Sequence, residues 1–558
     1  MKRAYALLLA ALTTAACTAQ PGEPGEQAAQ VTAADLNLTP RAEVKTGGTL
    51  RWGLTEYPAQ WNQNHIDGNL ANVKTVMDAL MPRPFRADEH GVLALDPDYV
   101  AFADVTRATP KQVVTYTLNP KARWSNGEPI TWADYAAQWK ALRGSDPAYH
   151  VANVTGYQDI ASVTKGKNDY EVVVTFTRPF GDWRSLFAPL YPKGANSSPQ
   201  AFNAGWVGKI PATAGPFKFG AFDTRAKTVT LARDGKWWSD PAKLDSIVFR
   251  GLESDARVAA FANGELDVFD IGPSAADLSR AKSAAGAVVR QAAGPDFRHF
   301  TFNGESPILT DVRVRQAIAL GIDRAVIAKS DLKGLNWPVT LLDNHFLMNS
   351  QQGYRPNADE LAGPDAARAG ALLDAAGWRL SGTVRSKAGK QLDLRFVIPS
   401  GLQLARSEGE ITQAMLAKLG IKLTIETVPS NDFFTKYVIP GNYDIAPFSY
   451  VGTPFPVSAS YGTYANGVRS QGDDIVWNAN LGRSGNAEID AKLKSAMAEL
   501  DPAKALRLIN EADRLVWREV NVLPLYQRPQ TVAVNSGLVN VGARGFRDLD
   551  YADIGFKS

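Results

Sequence analysis

A single cysteine, Cys17, serves all 558 residues, and only five histidines accompany it. One thiol excludes an internal disulfide, a cysteine metal cluster and a redox pair. His65, His90, His150, His299 and His345 are scattered without metal-ligand spacing, so no resident metal and no cofactor are expected. Charge of one sign is equally scarce: 60 basic residues against 57 acidic ones leave a net charge of +3. That balance excludes the basic footprint of a nucleic-acid binder and a polybasic membrane patch. Catalytic signatures are missing as well. There is no Gly-x-Ser-x-Gly elbow, no His-Glu-x-x-His and no phosphate-binding loop, so an exported hydrolase is a disfavoured class and the chain is not expected to be an enzyme.

No apolar run has the length of a membrane span, and the one that comes nearest opens the chain. Lys2 and Arg3 precede an uncharged stretch, residues 4–16, rich in Leu7, Leu8, Leu9 and Leu12. This fits a secretory leader and is too short for a transmembrane helix. It ends in Thr14-Ala15-Ala16-Cys17, which resembles the bacterial lipoprotein processing signal, with Thr14 where leucine is usual. Residues 1–16 are thus expected to be a signal peptide. Cys17 is the expected lipidation site, anchoring the protein to the outer face of the cell membrane, the periplasmic side in a Gram-negative cell. Residues 17–46 are mostly Ala, Gln, Gly, Pro, Glu and Thr with few large apolar groups, and are expected to form a flexible tether.

What remains is long and ordinary in composition, 45% hydrophobic and 21% charged, which calls for two or three packed units. Strand-like alternation marks residues 113–118, 170–176, 228–232, 392–398 and 421–428. In the last, Ile421, Leu423 and Ile425 fall on one face and Lys422, Thr424 and Glu426 on the other. Helices are signalled at 133–142, behind an approximate Thr131/Asp134 capping box, and at 312–329. Others span 365–376 and 408–419, stopped by Gly377 and Gly420, and 501–519, opened by Asp501-Pro502. Interspersed strands and helices give an α/β fold.

Several phrases then carry a resemblance. Arg123-Trp124-Ser125-Asn126-Gly127-Glu128-Pro129, Thr213-Ala214-Gly215-Pro216-Phe217, Trp237-Trp238, Ala260-Phe261-Ala262-Asn263-Gly264-Glu265-Leu266-Asp267 and Asp311-Val312-Arg313-Val314-Arg315-Gln316-Ala317 occur in order. They are followed by Ala376-Gly377-Trp378, Leu419-Gly420-Ile421 and Asn442-Tyr443-Asp444. Together they resemble the family 5 extracellular solute-binding proteins, the oligopeptide and dipeptide binders of ABC importers. The resemblance implies a type II periplasmic-binding-protein-like fold, two lobes with a hinge and an extra domain inserted in the first lobe. Lobe I would comprise residues 47–60, 212–294 and 521–558, the insert 61–211, and lobe II 295–520. The phrases themselves are expected to be scaffold: Trp124 a core anchor, Arg313 and Arg315 partners of carboxylates, Gly127 and Gly215 backbone devices.

The resemblance further implies a ligand cleft between the lobes, with no cofactor, delivery to permease subunits, and a monomer. Carried over by position, its walls would include Glu56, Tyr57 and Trp61 from the first-strand loop. Ser449, Tyr450, Gly452, Thr453 and Phe455 would come from a later loop. Peptide binders of this family place an aspartate in that later loop for the ligand's α-ammonium, but no acidic residue lies between Phe448 and Tyr464. Either Glu56 substitutes, or the ligand has no free ammonium. Two other jobs remain open on the same fold: a non-transport scaffold or regulator of envelope glycolipid assembly, and a binder of a metal–chelator complex.

Overall fold

A computed structural model describes residues 32–469 and 475–558. The leader, Cys17 and the first half of the expected tether lie outside the described residues. The rest of that tether does not behave as one. Leu36 and Val44 are buried, and residues Asp35 and Val44 form bridges to Ala543 and Lys557 near the other end of the chain. The tether expectation of residues 17–46 therefore ran too far: two buried apolar side chains, the two bridges and the ion pairs Asp35–Arg290 and Arg41–Asp553 seat residues 32–46 on the folded body.

Ten strands form the central sheet. In chain order they are β1 (Thr49–Leu54), β2 (Phe217–Asp223), β3 (Thr228–Arg233), β4 (Ser246–Gly251), β5 (Val268–Asp270), β6 (Ala287–Phe302), β7 (Asp393–Pro399), β8 (Lys422–Val428), β9 (Ile445–Val451) and β10 (Val522–Asn535). Their spatial order is β8-β7-β9-β6-β10-β5-β1-β4-β3-β2. Two strands, β6 and β10, are far longer than the rest and pair with different neighbours along their lengths. Residues Val532–Val534 of β10 pair with β5, whereas residues Asp296–Phe302 of β6 pair with β9.

The ladder between β6 and β10 is interrupted where those neighbours change. It runs from Ala287 opposite Asn535 to Ala293 opposite Pro529, and resumes at Phe297 opposite Gln527. Residues 294–296 and Arg528 stand in the gap. Pro295 has no N–H to give to a ladder, and a Cβ at Gly294 would lie 2.8 Å from the Arg528 carbonyl oxygen. Side chains close the gap instead. Gln527 Nε2 donates to the Gly294 carbonyl at 2.7 Å, and Arg528 Nη1 meets Asp296 Oδ2 at 2.5 Å.

Between β1 and β2 the chain builds a separate four-stranded antiparallel sheet, Val100–Arg107, Val113–Leu118, Glu171–Phe176 and Ile160–Lys165 in spatial order, with the helix Trp132–Leu142. It shares a core with the first half of the main sheet: Tyr116, Trp124 and Phe187 belong to one cluster with Leu50, Leu231 and Phe249. The Trp124 phrase is scaffold here. Asp134 accepts from the Trp124 indole at 3.3 Å and from the Thr131 amide at 2.9 Å, and Gly127 has φ of 89°. Gly215 permits a close crossing, since a Cβ there would come 2.4 Å from the Ala79 carbonyl oxygen.

The second half is helix-covered. Leu394, Phe396, Leu416 and Leu423 pack with Ile318 and Leu523, so the helix Gln403–Ala417 joins parallel β7 and β8 as a β-α-β unit. The helix expected over 312–329 is two helices, Val312–Gly321 and Arg324–Asp331. Asp323 breaks it by accepting from the Ala325 and Val326 amides, a cap that starts a new helix two residues after the first ends. Arg313 meets Asp311 at 2.6 Å and Arg315 meets Glu519 at 2.5 Å, both structural pairings.

A buried polar network lies under this half. Arg298 forks onto Glu408 at 2.7 and 2.6 Å, and the Tyr526 hydroxyl donates to Asp331 at 3.1 Å. Burial and the charge of Glu408 push the Asp331 carboxyl up to about 8. A carboxyl raised in the folded state stabilises most below its unfolded value near 4 and loses that contribution as pH climbs through about 8. Asp331→Asn mimics the protonated form. Urea unfolding should therefore show wild type losing ground to Asp331→Asn between pH 5 and pH 9; a constant difference would contradict this reading.

Candidate ligand cleft

The interrupted strands border a cavity of about 970 Å³. Its walls come from both halves of the sheet and from the insert: Leu54 and Thr55 after β1, Asp270 and Gly272 at the end of β5, Pro295 and Arg528 at the ladder gap, and the loop 451–455 after β9. Volumes of this size suit a ligand of drug size or a short peptide.

The loop after β9 is fixed by contact with the gap. The Gly452 amide donates to the Pro295 carbonyl at 2.6 Å, and a Cβ at Gly452 would lie 2.7 Å from Met348 Cε. Glycine is what allows this loop to reach the crossover strands. Across the cavity, Gly251 at the end of β4 plays a similar part, because a Cβ there would come 2.8 Å from the Tyr57 amide nitrogen. The insert touches the second half directly as well. Asp182 accepts from the Ser458 amide at 3.0 Å, at the start of the helix Pro456–Tyr464, and His90 Nδ1 lies 2.8 Å from the Ser350 carbonyl oxygen.

The expected site residues divide. Gly452, Thr453 and Phe455 line the cavity. Ser449 and Tyr450 precede it on β9 and are not among the lining residues; Tyr450 stacks on His299 at 4.2 Å and packs beside Phe297. On the first loop the structure redirects the expectation. Trp61 is fully buried, stacked on Phe222 at 5.5 Å, and Tyr57 packs edge-on against both. Trp61 buries its whole area in the core of the first half, and Tyr57, half-buried against it, is not among the residues that line the cavity. Glu56 is exposed and outside the lining set, and accepts from Asn72 Nδ2 at 3.2 Å. Thr55, one residue earlier, is the wall residue, with its hydroxyl accepting from the same Asn72 amide at 2.7 Å.

Charge in the cavity wall could not be assembled from sequence, because its members are distant along the chain. Asp270 and Asp296 flank the gap, and Asp296 is taken by Arg528. Asp270 accepts only from the Gly272 amide, at 2.8 Å, and has no ion pair among the described residues. It reaches solvent through the cavity while protein surrounds it. The resulting desolvation, reinforced by Asp296, raises its carboxyl against the opposing pull of Arg528 and Arg257. Behind the wall, Asp78 draws Lys74 to 2.6 Å and Arg544 to 3.6 Å and pairs with Arg83; burial alone would raise Asp78, but these cations hold it at about 2.

Comparison with known proteins fits this geometry. A model of the bacterial extracellular solute-binding proteins, family 5 Middle, matches residues 100–472. The oligopeptide-binding protein OppA of Mycobacterium tuberculosis is 41% identical over 535 residues, covering 95% of this chain and 88% of that protein. The chain belongs to family 5 of the extracellular solute-binding proteins. As a family 5 protein it is a solute-binding component of ABC importers, and its relatives are binding proteins and not enzymes.

Two solved structures share the fold. The periplasmic EDTA-binding protein EppA matches with a TM-score of 0.84 at 23% identity, over 96% of this chain and 100% of that one. The oligopeptide-binding protein AppA of Bacillus subtilis, solved with a nonapeptide, matches with a TM-score of 0.74 at 18% identity, over 92% of this chain and 100% of that one. The two-lobed type II architecture is thus the fold of this family 5 protein. No described helix is long and apolar enough to cross a membrane.

Core and wall placements predict different mutational costs. Trp61→Ala should lower unfolding free energy by roughly 3–5 kcal/mol, the cost of emptying a buried aromatic site. Phe455→Ala, on a half-buried wall position, should cost less than half as much in the same urea titration. Equal losses would contradict the placement.

Proposed function

We propose that this protein captures peptides in the cavity between its halves and delivers them to the permease of an ABC importer. The cavity of about 970 Å³ at the two long strands that, among the described residues, both halves share carries this reading, and OppA and AppA are oligopeptide-binding by name. In this reading lobe I comprises residues 47–60, 212–294 and 521–558 together with the chain start from residue 32. The insert is 61–211, and lobe II is 295–520. The ladder gap at 294–296 and Arg528 is the hinge. Cys17 is the acylated anchor on the outer face of the membrane, after removal of residues 1–16, and the protein acts as a monomer.

A peptide offers a row of amide groups, an ammonium at one end and a carboxylate at the other. Backbone groups of Gly452 and Thr453 and the ring of Phe455 suit the first without reading each side chain, which gives broad specificity. For the ammonium, Asp270 takes the part for which Glu56 stood as the candidate. It is the one carboxylate of the wall that has no ion pair among the described residues, and it is open to the cavity. A second reading, capture of a polycarboxylate chelate, draws on the surplus of cations in the wall and on the EDTA in the name of EppA.

Mass spectrometry of the small molecules that accompany the purified protein tests the ligand class directly: peptides support the first reading, and a metal chelate supports the second. Calorimetry then tests the anchor. Penta-alanine with a free amino end should lose at least tenfold in affinity in Asp270→Asn, about 1.4 kcal/mol, whereas N-acetylated penta-alanine should bind both forms alike. An unchanged affinity for the free peptide removes Asp270 from the role. At one hundred times its dissociation constant the peptide should add about 2.7 kcal/mol to unfolding stability; a protein that no soluble peptide stabilises would fit a scaffold of envelope assembly instead.

A further inference from the structure

The cavity wall contains six cations, Lys74, Arg83, Arg184, Arg257, Arg528 and Arg544, against three carboxylates, Asp270, Asp296 and Asp548. Most of them are already engaged. Asp78, behind the wall, takes Lys74, Arg83 and Arg544; Asp548 lies 3.5 Å from Lys74, and Asp296 holds Arg528. Arg257 has no ion pair within 4.0 Å among the described residues, but Asp270, Glu253 and Asp277 act on it through space. Arg184 has neither an ion pair nor a hydrogen bond among the described residues.

Arg184 is nevertheless held in place. Its guanidinium lies 4.6 Å above the Trp183 ring and 5.9 Å from the Phe85 ring. These cation–π contacts hold the guanidinium beside aromatic faces while its N–H donors make no hydrogen bond among the described residues. The segment that carries it is also rigid. Phe187 is fully buried with φ of 61°, a left-handed conformation that is costly for a bulky residue and persists only where the surroundings over-determine it. Here they do: the Phe187 amide donates to the Tyr157 hydroxyl at 2.7 Å, and Gln138 Nε2 donates to the Pro189 carbonyl at 3.0 Å. Leu186, Ala188 and Pro189 of the same segment line the cavity beside Arg184. A cation oriented by aromatic faces, on a strained and pinned segment, without a carboxylate of its own, is set out for an anion that arrives from outside.

We propose that Arg184 binds a carboxylate carried by the ligand, so that the cleft selects acidic peptides over neutral and basic ones. This rests on the peptide reading above and adds to it a residue of the insert and a ligand charge.

Calorimetry with alanine pentapeptides carrying Glu, Gln or Lys in turn at each of the three central positions tests it. Wild type should prefer Glu to Gln by at least tenfold at one of these positions, and reject Lys there. Arg184→Met, which still covers Trp183, should bring that preference below threefold, and Arg184→Lys should restore part of it. Absence of any charge preference in wild type, or a preference undiminished in Arg184→Met, overturns this proposal and leaves the peptide reading standing. Failure of every pentapeptide to bind wild type overturns both.

Discussion

Two strands carry the mechanical connection between the halves of the sheet, and the backbone ladder between them fails for three residues. Everything functional in the account follows from that interruption. A continuous ladder resists bending, because each of its hydrogen bonds is short and directional. At 294–296 the chain substitutes a proline without a donor, a glycine in close approach and an aspartate, and bridges the gap with the side chains of Gln527 and Arg528. Side-chain bonds tolerate reorientation that ladder bonds do not. The same short stretch supplies the Pro295 carbonyl to the loop at Gly452, so the cavity wall and the proposed point of bending are joined by one hydrogen bond of 2.6 Å.

Electrostatics then explains why the cavity is not simply a gap. Aspartates that ion pairs could neutralise are neutralised: Asp78 beneath three cations, Asp296 beside Arg528. Asp270, Arg184 and, more weakly, Arg257 are left over, and they sit on different elements, the end of β5, the insert and the helix Ser254–Ala262. None of the three has an ion pair among the described residues, and Asp270 and Arg184 are open to the cavity. In the proposed reading a solute that brings the complementary charges would pair with them.

Much of the scaffold was readable from residues alone. Capping aspartates at 365 and 501, stop glycines at 377 and 420, and the alternation of Leu423 with Lys422 and Thr424 all act through near neighbours, so their structural consequences stay local. The Thr131/Asp134 cap works for the same reason, and it does a second task no pattern shows, holding the Trp124 indole. Where distant chain segments compete, the reading from sequence faltered. Polar composition suggested that residues 32–46 were tether, but the backbone at Asp35 and Val44 bridges to Ala543 and Lys557, some 500 residues away, and Leu36 and Val44 are buried. Position in the resemblance suggested Tyr57 and Trp61 for the cleft, but Phe222, supplied by β2, stacks on Trp61 in the core and takes the half-buried Tyr57 edge-on. The loop 452–455 was located by its place after a strand, whereas Asp270 and Arg184 carried no local signal, since what distinguishes them is the ion pair each lacks.

The claim on which the account stands is that the two halves move about the ladder gap when solute enters. Electron–electron distances between spin labels at Thr224→Cys, beyond β2, and Ala414→Cys, on the helix Gln403–Ala417, in the Cys17→Ser protein measure that motion. A population that shifts by several ångströms and narrows when the co-purifying solute is added back to stripped protein is the predicted result. One distance distribution, identical with and without solute, would contradict it.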